Sequence, residues 1–198
     1  MDENNLAVIL GDVMGKRWGA WYFAIAYAGY VRSAIRMVLQ NSLEFTPKQI
    51  LEKVNSSIYQ DAKISEVFAT LSVLMINNKD NTSRYAGAGD LPMIYRQGNT
   101  QTARQISSKG MLLGFSAEGF FDDMVIQLHP KDIIILITDG LIESRNSQGI
   151  PLGADNFERL VASIPPDAEP MAYIMQQINI FTGGKFEDDI SLIAVRAN

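Results

Sequence analysis

The chain has 198 residues, 47% hydrophobic and 20% charged, with a net charge of −5. That composition fits one ordered domain with a substantial core and excludes a disordered chain, while the acidic balance argues against binding a nucleic-acid backbone, which calls for a basic face. There is no cysteine and a single histidine, His129, ahead of Pro130, so disulfides, thiolate chemistry, a multi-histidine zinc site and a Ser-His-Asp triad are excluded for this chain alone, and a reducing, cytoplasmic setting suits it.

The acidic N-terminus is not a secretory signal. A first strand is expected near residues 5–11, from Leu6-Ala7-Val8-Ile9-Leu10, followed by a glycine turn at Gly11-Asp12-Val13 and a long helix. In that helix Trp18, Tyr22, Ile25, Ala26, Gly29, Ala34 and Val38 recur at helical spacing and are expected to face inward. Its uncharged apolar part, Trp18 to Val31, is shorter than the roughly 20 residues of a membrane span, so no membrane insertion is expected. Thr46-Pro47 reads as a capped start for a second helix, to about Gln60, with Ile50, Leu51, Val54 and Ile58 inward.

The texture then turns to β. Val67 to Ile76 and Ser83 to Gly87 flank a turn cluster, Asn77 to Asn81, and read as a hairpin. Met93 to Arg96 and Thr100 to Ile106 read as a second hairpin. Asp123 to Leu128 and Asp132 to Thr138 read as a third, around His129-Pro130-Lys131. Helices are expected near 155–163 and 170–181, and a last strand over Ile190 to Arg196. Hairpin succession with helices grouped between predicts an α+β fold of mainly antiparallel sheet with helices outside it, in a single domain, residues 1–198.

Three acidic clusters stand out at the ends of apolar runs: Asp12, Asp139 after Ile133–Ile137, and Asp188-Asp189 before Ile190–Val195. Asp and Gly are also the usual residues where strands stop, so each cluster alone reads equally as a turn. Carboxylates held at the ends of strands are, however, the oxygen donors that Mg²⁺ and Mn²⁺ prefer.

Six motifs in order carry a resemblance. They are Gly11-Asp12-Val13-Met14-Gly15-Lys16, Phe68-Ala69-Thr70-Leu71, Gly87-Ala88-Gly89-Asp90-Leu91-Pro92, Gly110-Met111-Leu112-Leu113-Gly114, Thr138-Asp139-Gly140-Leu141-Ile142-Glu143 and Asp188-Asp189-Ile190-Ser191-Leu192. From Leu6 onward the chain resembles the bacterial SpoIIE/RsbU-like branch of the metal-dependent (type 2C, PPM) serine/threonine protein phosphatases. The resemblance implies an α-β-β-α sandwich of two mainly antiparallel sheets, with two ions, Mn²⁺ or Mg²⁺, in a cleft at one end. It implies that Asp12 bridges the metals with the Val13 carbonyl beside it, and that Asp139 and Asp188 serve the second metal. Asp189 is the ambiguous neighbour of Asp188.

The same resemblance implies hydrolysis of phosphoserine or phosphothreonine on a phosphorylated regulatory protein, such as an anti-sigma-factor antagonist, by a metal-bound water. It leaves room for a sensor domain upstream. Lys16 and Arg17, at a helix start that favours anions, read either as receivers of a phosphate or as solvated surface charge. Asp90, where the family more often has histidine, reads as a turn residue or a support for the site. The family also has an upstream Gly-Gly-Asp strand, and the chain is expected to lack that strand and its acid, as a fragment would. A phosphatase-like module that binds phosphoprotein without turnover is the alternative. A nucleotide or sugar phosphatase ranks last, for want of a phosphate-binding Gly-x-x-x-x-Gly-Lys-Ser loop.

Overall fold

The computed structural model describes residues 4–14, 18–41, 45–98, 100 and 102–197. The chain forms two compact units, Met1–Asp90 with Ser108–Gln127, and Leu91–Ser107 with Leu128–Asn198.

The first unit has a four-stranded antiparallel sheet in the order β1-β2-β3-β6, from β1 (Asn5–Val13), β2 (Ala69–Asn77), β3 (Thr82–Ala88) and β6 (Met124–Gln127). Helices α1 (Trp18–Asn41) and α2 (Pro47–Ser65) cover it. The capping signal at Thr46 is realised in full: Thr46 Oγ1 accepts from the Gln49 amide at 3.3 Å, and Gln49 Oε1 accepts from the Thr46 amide at 3.0 Å, which satisfies two orphan donors. Ile50, Leu51, Val54 and Ile58 are buried as expected. The helix runs five residues past Gln60 because Ala62 adds another buried contact, and Glu66 ends it in a left-handed conformation, φ 53°. The expected inward face of α1 is corrected in its first half. Phe23 and Tyr27 are buried, while Tyr22 is 67% and Ile25 60% exposed, because the Tyr27 hydroxyl is anchored to the Thr70 carbonyl at 2.8 Å and stacks near Phe23.

Asn55, 2% exposed on α2, holds the segment before β6. Its Nδ2 donates to the Ser116 carbonyl at 2.9 Å and its Oδ1 accepts from the Gly114 amide at 2.9 Å. Asn55→Ala is expected to cost about 2–3 kcal/mol, the scale of leaving buried backbone groups without partners. Urea unfolding checks it, with an unchanged midpoint counting against it.

The second unit has the sheet order β5-β4-β7-β8, from β4 (Met93–Arg96), β5 (Ala103–Ile106), β7 (Ile133–Ile137) and β8 (Leu192–Arg196). With it go α3 (Asp139–Glu143), α4 (Ala154–Ala162) and α5 (Pro170–Thr182). Ile133, Ile135 and Ile137 meet Phe157, Val161, Ile174 and Ile178 in its core. Arg96 and Arg196 both stand in register with Ile133, on either side of it. Arg96 donates to the Ile164 carbonyl and Arg196 to that of Ala168, so two guanidiniums clamp the connection between α4 and α5 to the sheet.

The fold class is the expected α+β one, with two antiparallel sheets and their helices. The first two hairpins are present as β2–β3 and β4–β5. The third is not: β6 pairs with β3 in one sheet, and β7 pairs with β4 and β8 in the other. The physical reason lies in the side chains. β7 is five consecutive buried apolar residues and is paired on both sides, whereas β6 has the alternating exposure of an edge strand.

Candidate active site

In the first unit the strand carries on past the expected turn. Asp12 pairs with Thr70 and Val13 with Ala69 inside β1, and the Met14 amide bonds the Phe68 carbonyl at 2.9 Å. The Asp12 side chain is exposed and Val13 is half-buried. Gly11 lets α1 come close: a Cβ there would lie 2.9 Å from the Tyr27 hydroxyl and 3.0 Å from Leu71. Burial, and secondarily the Asp12 charge, push the Tyr27 phenol far above its ordinary pKa, so it stays a neutral donor beside the carboxylate.

Asp90 is not part of that strand end. Its carboxylate folds over Gly87, where a Cβ would sit 1.9 Å from Oδ1. It accepts from the Ser72 hydroxyl at 2.5 Å and from the Tyr85 hydroxyl. Burial raises its pKa, and the two hydroxyl donors pull the other way. A carboxyl whose folded pKa is raised contributes stability at low pH and loses it as pH climbs through the folded value. The stability of wild type relative to Asp90→Asn should therefore fall as pH rises above the ordinary carboxylate value of about 3.9. Urea midpoints of both proteins across pH 4–8 test it, and a constant difference would contradict it.

In the second unit β7 hands over directly to α3. Asp139 is exposed in the first turn of α3, where a negative charge is favoured. The Thr138 amide donates to the Ser191 carbonyl at 3.1 Å, and the Ser191 amide donates to Thr138 Oγ1 at 3.0 Å. That double link brings the segment bearing Asp188 and Asp189 to the start of α3. Gly140 closes the corner. A Cβ there would lie 2.3 Å from the Asp189 carbonyl oxygen and 3.5 Å from the Asp188 Cβ, so the two segments meet only over a glycine. The Asp189 amide donates to Asp188 Oδ1 at 2.9 Å, and the buried Ser144 hydroxyl donates to the Gly140 carbonyl at 2.7 Å, holding the other end of α3.

The second unit thus assembles Asp139, Asp188 and Asp189 at one corner, and the first places Asp12 and Val13 at the end of β1. Lys16 and Arg17 lie outside the described residues. Among the described residues, no three His, Cys, Asp or Glu side chains cluster closely enough to hold a metal ion. The donors at the second-unit corner are nonetheless all hard oxygens, over a notch that only glycine permits, and suit a cation that keeps most of its ligands as water. Sequence reading missed Tyr27, Ser144 and the Ser72–Tyr85 pair under Asp90. The partners of Tyr27 and Ser72 lie 43 and 18 residues away, and those of Tyr85 and Ser144 lie five and four residues away with no motif that marks the pairing.

The sequence pattern of the family described as Stage II sporulation protein E (SpoIIE) matches residues 2–198. The chain belongs to the SpoIIE family. It is 24% identical to the phosphoserine phosphatase RsbU of Bacillus subtilis (strain 168), over 98% of this chain and 56% of that protein. The chain thus spans little more than half the length of that relative. Among solved structures it is similar to the SiaA-PP2C domain of Pseudomonas aeruginosa, with a TM-score of 0.84 at 14% identity, covering 100% of this chain and 78% of that one. It is also similar to the RsbU and RsbW domains of Rv1364c from Mycobacterium tuberculosis, with a TM-score of 0.74 at 26% identity, covering 98% and 53%. The SpoIIE-family chain therefore has the fold of a PP2C domain. No helix among its described residues is long and apolar enough to cross a membrane.

Proposed function

We propose that this SpoIIE-family chain is a metal-dependent protein serine/threonine phosphatase domain, acting on phosphoserine or phosphothreonine of a regulatory partner protein in the cytoplasm. The observation that carries the reading is the corner where Gly140 lets the Asp188-Asp189 segment pass against the start of α3, beside Asp139, in a chain of this family. Asp139 and Asp188 would hold one cation, with Asp189 as the alternative to Asp188. Asp12, with the Val13 carbonyl, would hold a second. Bound there, Mn²⁺ or Mg²⁺ would supply a water of lowered pKa and offset charge on the phosphoryl oxygens.

What the protein contributes is placement. Thr138 and Gly140 fix the Asp188–Asp189 segment, and Tyr27 and Gly11 fix the end of β1. No side chain is offered as a nucleophile. There is no cysteine, and His129 lies before β7 whereas Asp139 follows it, roughly 16 Å of strand away at about 3.3 Å per residue. Lys16 and Arg17 are proposed to receive the substrate phosphate, on their place in the sequence after Asp12. RsbU is named a phosphoserine phosphatase, and that supports phosphoserine as the group acted on; an anti-sigma-factor antagonist is the partner proposed with it.

A second reading is a domain that binds phosphoprotein without turnover. It is favoured because, among the described residues, no three carboxylates stand close enough together to hold a metal ion. Incubation with a phosphoserine peptide and Mn²⁺, against the same mixture with chelator, separates the two. Metal-dependent phosphate release is expected. Saturable peptide binding with no release under Mn²⁺ or Mg²⁺ would establish the second reading instead.

A further inference from the structure

We propose that Arg145 is a positioning residue for Asp188, acting through Glu187. This rests on the proposed role of Asp188 but concerns a contact outside the aspartates. Arg145 Nε lies 3.7 Å from Glu187 Oε2, and Glu187 immediately precedes Asp188. Its Nη1 donates to the Gly149 carbonyl at 2.7 Å.

The loop behind the arginine is stiff. Arg145 bridges to Pro151, the Asn146 amide donates to the Ile150 carbonyl at 3.0 Å, and Asn146 Oδ1 accepts from the Gln148 and Ile150 amides, each at 3.0 Å. The loop in front of it is the opposite. It leaves α5 through two consecutive left-handed glycines, Gly183 and Gly184. Among the described residues, Lys185 and Phe186 make no hydrogen bond or ion pair, and Glu187 makes only the one to Arg145. Beyond it, Asp188 Oδ1 accepts from the Asp189 amide, Asp189 lies against Gly140, and Ser191 is held on Thr138. Among the described residues, Arg145 is thus the partner that residues 185–187 have on the approach to Asp188, and a planar guanidinium holding two oxygens at once is suited to it.

Electrostatics and positioning predict opposite signs. A cation near an acidic metal site repels the metal, so its removal alone would tighten binding. Loss of a support loosens Asp188 and weakens binding. Arg145→Gln is therefore expected to bind Mn²⁺ about two- to five-fold more weakly, the scale of an exposed ion pair. The exchanged pair Arg145→Glu with Glu187→Arg has the same net charge as wild type and should recover most of the loss.

Calorimetric Mn²⁺ titration gives the affinities, and amide hydrogen exchange of residues 183–191 in the metal-free proteins gives the order of the segment. Faster exchange in Arg145→Gln, restored in the exchanged pair, supports the inference even if wild type binds no Mn²⁺, an outcome that would defeat the proposed function alone. Exchange unchanged in Arg145→Gln overturns the inference. So does Mn²⁺ affinity equal to or tighter than wild type with a raised KM for the phosphopeptide, which would make Arg145 a substrate contact.

Discussion

Asp139→Asn is expected to abolish Mn²⁺-dependent release of phosphate from a phosphoserine peptide, by at least about 10²-fold, the scale of removing one preorganised electrostatic group from a reacting centre. The substitution keeps shape and removes charge, and an amide oxygen is a much poorer ligand for a hard dication than a carboxylate. It should leave the fold almost untouched. Asp139 is exposed and its structural role is the favourable end of a five-residue helix, worth about 0.3–1 kcal/mol. The melting temperature is therefore the control: lost turnover with a preserved transition supports a metal ligand, whereas unchanged turnover removes Asp139 from the mechanism.

Asp132→Ala should act on the other property, stability, and strongly. Asp132 is only 3% exposed. Its Oδ2 accepts from the Tyr95 hydroxyl at 2.5 Å and the His129 amide at 2.8 Å, and its Oδ1 accepts from the Gly98 amide at 2.8 Å. One carboxylate thus ties the start of β7 to β4 and to the β4–β5 turn. Truncation strands three donors, and the cost is expected at about 3–5 kcal/mol, since each unmet group carries its own desolvation penalty. Against a total stability of roughly 5–15 kcal/mol that is severe. Asp132→Asn retains an acceptor and should lose less than half as much. Equal urea midpoints for Asp132→Ala and wild type would show that the network carries no stability.

The periodic parts of this molecule were legible in its sequence, and the parts made by distant contacts were not. Thr46-Pro47 marks its helix because capping is chemistry over four residues. Ile50, Leu51, Val54 and Ile58 give their buried face because α2 packs along one stripe. Asp139, Gly140 and the Asp188-Asp189 pair could be picked out as a constellation, and Gly140 has a reason in the structure that its sequence neighbours do not show. Helical spacing alone does not choose Phe23 and Tyr27 over Tyr22 and Ile25 on α1, because what decides is the Tyr27 hydroxyl on a carbonyl 43 positions away. The partners of β6 and β7 are hidden for another reason: a turn of plausible length between two strand-like runs does not say whether they share a sheet.

The chain order of the first sheet bears on its synthesis. β3 ends at Ala88, and the strand that pairs with its outer side, β6, begins at Met124, with the β4–β5 hairpin of the other unit emitted in between. At about 5–20 residues per second on a ribosome, the open side of β3 waits roughly 2–7 s for its neighbour. Over that interval the nascent chain offers unpaired amides and carbonyls beside apolar strand residues, the condition under which chains join one another edge to edge. Holding that edge apart from other nascent chains is a task for the cell's folding machinery, set by the order in which this sequence is read.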